Sequence, residues 1–153
     1  MDQDLRIKAS RFGLNGRCIV DQIRFTDGSV RSLTVRQLAK IYSESNEPLL
    51  IFDSLLNDFT PISGIHKYPD PHDWILVHTY NGRSILLAAN TQIFTANGFI
   101  QVWELTTNDV LITRVGNSSM VQKIDLGFLC QSSFCIETVT RNFDCDTFSI
   151  HCR

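Results

Sequence analysis

Residues 88–99 read AANTQIFTANGF, and they are followed at residues 104–111 by ELTTNDVL. Apolar and polar residues alternate on both sides of Asn97 and Gly98, which predicts two short strands joined by a tight turn. A polar corner follows before the next apolar run begins. This stretch therefore predicts a β-hairpin near the middle of the chain.

Short strands also dominate the rest of the pattern. Gly28 follows an Asp and Gly82 follows an Asn, and both dipeptides are typical of tight turns. One short helix is expected, because Thr34 and Gln37 have the form of a capping box and apolar residues recur at helical spacing to about Ser43. The fold class is therefore all-β, mainly strands with one short helix. The other predicted strands cover residues 17–25, 49–52, 59–66, 74–80, 84–88, 110–115, 121–128, 135–140 and 143–150.

Length and charge limit the possible functions. The 153 residues are enough for one domain with a buried core. The net charge is −2 without a basic cluster, so neither nucleic acid nor an anionic membrane is an expected partner. No apolar run suits a membrane span or a signal peptide. The five cysteines are odd in number and irregularly spaced, which favours reduced thiols over disulfides or a metal site.

Three segments together resemble the intein and hedgehog-type (Hint) self-processing domains. The central stretch resembles the family segment that holds a Thr-x-x-His pair and then Glu-Leu-x-x-Gly-Asp. Residues 18–38 resemble the opening segment of the family, and residues 142–152 resemble the closing segment that ends in His-Asn. The resemblance implies a horseshoe of short antiparallel strands.

The resemblance also sets the expected domain limits. The Hint domain is expected over residues 17–153, after a lead-in segment over residues 1–16. Family members carry a linker or a homing endonuclease where this chain has only the polar residues 116–119. The domain is therefore expected to lack that insertion.

This sequence departs from the family where the resemblance places the chemistry. Splicing begins when a Cys or Ser attacks the carbonyl that precedes it, and the Thr-x-x-His pair protonates the departing amide nitrogen. Here Ala88 stands at the Thr position and Thr91 at the His position. A Thr hydroxyl is too weak an acid for this step, and general acid catalysis contributes a factor of about 10²–10⁴. The first step is therefore expected to be severely slowed.

The remaining catalytic positions are also altered. Counting back from the Asp-Gly turn places the nucleophile at Gly16, and Cys18 is the nearest thiol. Cys18 is either that nucleophile or a buried strand residue. His151 keeps the penultimate position, but Cys152 replaces the terminal Asn, and a thiol cannot form the succinimide that cuts the last bond. Cys135 lies about where a variant class of inteins has an internal nucleophile.

The sequence therefore predicts a degenerate Hint domain that has lost splicing and acts as a structural or interaction module. Protein partners are expected, in the cytoplasm or in a virus or phage particle, with no cofactor, metal or small-molecule substrate. The alternative is residual self-cleavage by an N-to-S acyl shift at Cys18, which would release residues 1–17. A third possibility is a split or engineered intein with replaced catalytic residues. Ala88 and Thr91 favour the first hypothesis.

Overall fold

Short antiparallel strands make up most of the fold. The computed structural model describes residues 13–68, 72–112, 118–129, 132–146 and 148–151. The strands are, in chain order, β1 (Leu14–Asn15), β2 (Ile19–Arg24), β3 (Val30–Thr34), β4 (Leu50–Asp53), β5 (Asp58–Pro61), β6 (Gly64–Tyr68), β7 (His72–Thr79), β8 (Ser84–Ala88), β9 (Gln92–Thr95), β10 (Gly98–Gln101), β11 (Val110–Ile112), β12 (Ser118–Leu129), β13 (Ser133–Glu137), β14 (Asn142–Cys145) and β15 (Phe148–His151).

The strands form one continuous hydrogen-bonded path. Its order is β5-β4-β2-β14-β15-β9-β11-β12-β7-β8-β1-β13-β6, with β10 added beside β9 and β3 beside β2. The long strand β12 joins the two halves, because its first residues pair with β11 and the remainder pair with β7. The register shifts between Val121 and Lys123, where such an irregularity bends the strand. The all-β prediction is confirmed.

The predicted helix is present and begins at the predicted cap. Helix α1 spans Val35–Glu44, and the Thr34 side chain accepts a hydrogen bond from the Gln37 amide while the Gln37 side chain accepts one from the Thr34 amide. A short 3₁₀ turn spans Val102–Glu104. In the part of the chain that the structure describes, no helix is long and apolar enough to span a membrane.

The core draws on both ends of the chain. Leu14 near the start and Ile150 near the end are both completely buried, and they belong to one apolar cluster. Burying each such side chain stabilises the fold by about 1.5–3 kcal/mol. Trp74 in β7 is also buried. The first and last described strands are therefore held inside the body and do not lie on its surface.

Two predicted strands are broken in the structure. Residues 59–66 divide into β5 and β6, because β5 pairs with β4 whereas β6 pairs with β13. Residues 143–150 form the hairpin of β14 and β15, in which Cys145 lies opposite Phe148 and Asp146 has a φ of 50°. Apolar residues occur on both sides of each break, so hydrophobicity alone does not show where the chain changes partner, although their strict alternation stops there.

The last residues of the predicted lead-in segment lie in the sheet. Leu14 and Asn15 form β1, which pairs with β8 on one side and β13 on the other. The expected lead-in therefore enters the sheet at its last residues, because a short polar-apolar pair carries too little periodicity to reveal a strand. Residues 1–12, and residues 116–117 of the predicted joint, lie outside the described residues.

Candidate functional site

The backbone of Gly13 is held by the turn that follows β8. The Gly13 amide donates to Thr91 Oγ1 at 2.6 Å, and the Thr91 hydroxyl donates to the Gly13 carbonyl oxygen at 3.0 Å. The Ala88 amide donates to the same carbonyl oxygen at 3.0 Å. The two residues at the Thr and His positions of the family segment therefore both contact Gly13, and both are completely buried.

Backbone hydrogen bonds fix this turn, which we call the Thr91 turn and define as residues 88–91. The Thr91 amide donates to the Ala88 carbonyl at 3.0 Å, and the Val102 amide donates to the Thr91 carbonyl at 2.9 Å. The Trp103 amide donates to the Ala89 carbonyl at 3.2 Å. Because its backbone groups are paired, this turn is buried at a low free-energy cost, and its small side chains leave room for the approach of β1.

Gly13 has a backbone conformation that other residues rarely adopt. Its φ is 137°, and a Cβ atom built on it would lie 2.7 Å from the carbonyl oxygen of Phe134. A residue with a side chain would fit there only if the backbone shifted. The residue whose amide nitrogen faces position 91 therefore carries no thiol or hydroxyl. Counting back from the Asp-Gly turn leads to Gly16, three residues later in the chain, and therefore misses Gly13.

Cys18 lies apart from these hydrogen bonds. Its side chain is buried, and its Sγ donates to the carbonyl oxygen of Leu86 at 3.3 Å. Its amide donates to the Asn15 carbonyl at 3.0 Å and not to the Thr91 hydroxyl. The amide nitrogen that position 91 holds is thus that of Gly13, five positions earlier in the chain.

Cys18 instead lies beside Cys145 and Asp146, and we call these three residues the Cys18 cluster. The two sulfur atoms and one carboxylate oxygen lie within 4.8 Å of one another. Burial raises the pKa of Cys145 above its ordinary value and raises the pKa of Asp146 to about 6. No local sequence pattern indicates this cluster, because Cys18 lies more than a hundred residues before Cys145 and Asp146 in the chain.

His151 is held near the Thr91 turn. Its Nδ1 lies 2.6 Å from Oδ1 of Asn142, and its ring lies 5.5 Å from the ring of Phe99, measured between centroids. In the sheet His151 lies opposite Gln92, the residue that follows Thr91. The structure therefore brings the penultimate His beside the turn that holds Gly13. Cys152 lies outside the described residues.

Cys135 is disulfide-bonded, whereas Cys18 and Cys145 are free. It lies in β13 opposite His66 and next to Phe134, which pairs with Leu14. The expectation of reduced thiols throughout is therefore wrong at Cys135. Irregular spacing along the sequence did not exclude a bridge, because the fold decides which cysteines meet.

A buried carboxyl that the sequence did not single out lies on β14. Oδ1 of Asp144 accepts a hydrogen bond from the Ser54 hydroxyl at 2.8 Å, and the side chain is almost fully buried. Burial is the main reason that the pKa of Asp144 rises from 3.8 to about 6. Among the described residues no donor reaches its Oδ2. Asp144 therefore binds a proton more tightly in the folded state than in the unfolded state.

The strand order and the approach of Gly13 and His151 to the Thr91 turn are those of the Hint fold of inteins. No family model matches the sequence, and no curated protein matches it. Among solved structures, the chain is similar to the VidaL intein (selenomethionine variant), with 19% identity and a TM-score of 0.80 over 93% of this chain and 97% of that chain.

Two further inteins show the same likeness. A DnaB intein from Synechocystis sp. PCC 6803 has 14% identity and a TM-score of 0.71, over 93% of this chain and 99% of that chain. The transcription factor IIB Mvu mini-intein has 14% identity and a TM-score of 0.74, over 92% of this chain and 99% of that chain. The chain therefore has the intein fold over nearly its whole described length, and identities this low establish the fold alone.

Proposed function

We propose that this chain is a Hint-fold domain that has lost protein splicing and acts as a structural or interaction module. The observation that carries the proposal is Gly13. Its amide nitrogen contacts the residue at the family's His position, so the bond before Gly13 takes the place of the bond that splicing would break. Glycine has no nucleophile to attack that carbonyl.

The acid that would assist the first step is also missing. Thr91 contacts the amide nitrogen as an acceptor, with its oxygen 2.6 Å away, and its hydroxyl donates a hydrogen bond to the Gly13 carbonyl oxygen. This geometry stabilises the intact peptide bond and supplies no proton to a departing nitrogen. Ala88 contributes only its backbone amide. The turn therefore keeps its structural contacts without the groups that the reaction needs.

The surface supports an interaction role. Tyr80 is 66% exposed and Met120 is 47% exposed, and the Tyr80 amide donates to the Met120 carbonyl at 3.1 Å. Large aromatic and thioether side chains are enriched in protein interfaces. The partner that we propose is another protein, in a cytoplasmic assembly or in a virus or phage particle.

The alternative function is residual self-cleavage at Cys18. An acyl shift there would require the Cys18 thiol to give up its hydrogen bond to the Leu86 carbonyl and to attack the carbonyl carbon of Arg17. The buried position of Cys18 and the absence of a Thr91 contact to its amide argue against this reaction.

The test is intact-mass spectrometry of the purified chain, incubated with and without a strong thiol. The matched controls are Cys18→Ala and Cys135→Ala, since Cys18 would cleave by an acyl shift at its own peptide bond, whereas Cys135 would attack the carbonyl before Gly13 and release the Gly13 amine. The proposal predicts one species of 17.4 kDa in every sample.

Two results would contradict the proposal, and they can be told apart. Release of residues 1–17 that stops in Cys18→Ala would establish the alternative function. Release of residues 1–12 that stops in Cys135→Ala would show that the internal Cys is a nucleophile once the thiol reduces its disulfide. The two released fragments differ in mass from each other, so one spectrum distinguishes cleavage by Cys18 from cleavage by Cys135.

A further inference from the structure

The Cys18 cluster lies where the start of β2 meets the end of β14. In the sheet, Cys145 lies opposite Val20, and the Asp146 amide donates to the Ile19 carbonyl at 2.7 Å. The Asp146 carboxylate accepts a hydrogen bond from the Ile19 amide at 3.1 Å. Pairing between the strands therefore fixes Cys145 and Asp146 against the segment that carries Cys18.

The backbone around Cys18 is fixed as well. Its amide donates to the Asn15 carbonyl at 3.0 Å, and its carbonyl accepts from the Val35 amide at 2.9 Å. Both Cys18 and Cys145 are free thiols within the part of the chain that the structure describes. Three potential metal ligands are thus held on rigid strand ends, which preorganises them.

The donor set suits a thiophilic divalent cation. Zn²⁺ binds Cys sulfur at about 2.3 Å and carboxylate oxygen at about 2.0–2.2 Å in tetrahedral geometry, which places two sulfurs about 3.8 Å apart. The three ligand atoms here lie within 4.8 Å of one another, so small side-chain rotations can complete the geometry. Thiolate ligands favour Zn²⁺ over the harder cations Mg²⁺ and Ca²⁺.

The open side of the cluster faces a pocket. The pocket has a volume of about 280 Å³, and Cys18, Asp146, Asn15, Arg17 and Ser84 are among the residues that line it. A cation held by three protein ligands would have its fourth position directed toward this space, where water can enter. Three protein ligands with one open position are typical of accessible zinc sites.

We propose that Cys18, Cys145 and Asp146 form a binding site for Zn²⁺ or a similar thiophilic cation. A bound cation would link β2 to β14 and would coordinate the sulfur of Cys18. The site is separate from the Gly13 contacts, and it does not depend on whether the domain processes itself. By comparison, His66 with Glu137 and His78 with Asp125 form pairs that each provide only two potential metal ligands.

The test is a titration of the full chain with Co²⁺, the spectroscopic substitute for Zn²⁺. We expect one equivalent to produce a thiolate-to-cobalt charge-transfer band in the near ultraviolet, and added Zn²⁺ to displace it. The band is expected to disappear in Cys18→Ser and in Asp146→Asn. His66→Ala and His78→Ala each remove an imidazole that the proposal does not use, and both should retain the band.

Three results would overturn the proposal: no band in the unaltered chain, a band that persists in Cys18→Ser, or a band lost in His78→Ala. X-ray absorption of the unaltered chain loaded with Zn²⁺ needs no substitution and therefore no assumption about folding. It should show two sulfur neighbours and the remainder oxygen or nitrogen. A shell of oxygen and nitrogen alone would exclude the site.

Discussion

The Thr91 turn contacts Gly13, just before β1, and the Cys18 cluster lies at the start of β2. The two regions differ in the chemical groups that they hold. The Thr91 turn holds both the amide and the carbonyl of Gly13, but its side chains provide no acid and Gly13 provides no nucleophile. The Cys18 cluster has two free thiols and a carboxylate, but none of them reaches the Gly13 amide in the described hydrogen bonds.

Under the proposed function, this difference separates the fold from its chemistry. The Thr91 turn is set by strand pairing and backbone hydrogen bonds, which tolerate many side chains. Reactivity depends on a few side-chain atoms, and one substitution removes it without disturbing the sheet. The same sheet brings Cys18 and Cys145 together, so new chemistry can arise at a place that the resemblance does not indicate.

The largest expected effect follows from Gly13, where the backbone excludes a side chain. Gly13→Ala combines an unfavourable φ with the close contact to the Phe134 carbonyl, and it is expected to lower the free energy of unfolding by about 3 kcal/mol. Gly98→Ala is the matched control, since its φ is also positive but no atom lies within 4 Å. Its cost is expected to be about 1–2 kcal/mol. Urea unfolding measures both.

Equal losses in these two variants would show that the Phe134 contact has no energetic consequence. The close approach of Phe134 would then not explain why position 13 carries no side chain. Circular dichroism of the folded variants checks that the sheet is retained before the energies are compared.

A smaller effect is expected at Thr91. Thr91→Ala removes the hydroxyl that contacts both the amide and the carbonyl of Gly13, and it should destabilise the fold by about 2 kcal/mol because a buried amide loses its acceptor. Thr91→Ser keeps the hydroxyl and should lose only about 1 kcal/mol. Denaturant unfolding distinguishes them, and an Ala variant as stable as the Ser variant would refute a structural role for the hydroxyl.

The smallest effect concerns Asp144, whose pKa is raised from 3.8 to about 6 in the folded chain. Between these pH values the folded state binds the proton and the unfolded state releases it, so stability falls as the pH rises. We expect Asp144→Asn to flatten this part of the stability curve by about 1–2 kcal/mol.

Asp27→Asn is the control for this pH dependence. Hydrogen bonds from Ser29 lower the pKa of Asp27, so its titration lies below the window in which Asp144 acts. Its variant should keep the wild-type slope between pH values near 4 and 6. Thermal unfolding across that range gives both curves, and an unchanged slope in Asp144→Asn would contradict the raised pKa.

Local sequence signals predicted much of the fold. The capping box at Thr34 and Gln37 and the turns at Gly82 and Gly98 appear where the sequence places them, because each depends on neighbouring residues alone. The break within residues 143–150 was not predicted, because Asp146 adopts a positive φ that its residue type permits but does not require.

The site was only partly predictable. Ala88 and Thr91 were identified from the resemblance, and the structure places both against one residue. That residue, Gly13, was missed because the count back from the Asp-Gly turn used a fixed spacing and ended at Gly16. The partnership of Cys18 with Cys145 depends on the pairing of β2 with β14, which no local pattern reveals.

The central claim is that Gly13 occupies the position of the lost nucleophile, and intact-mass spectrometry of two variants tests it most directly. Ala88→Thr/Thr91→His restores the acid pair alone, and the same variant with Gly13→Cys also restores the thiol. Both are incubated with a strong thiol after circular dichroism has shown that they fold. We predict that the first stays whole and that the second releases residues 1–12. Cleavage of the first variant, or a folded second variant that stays whole, would contradict the account.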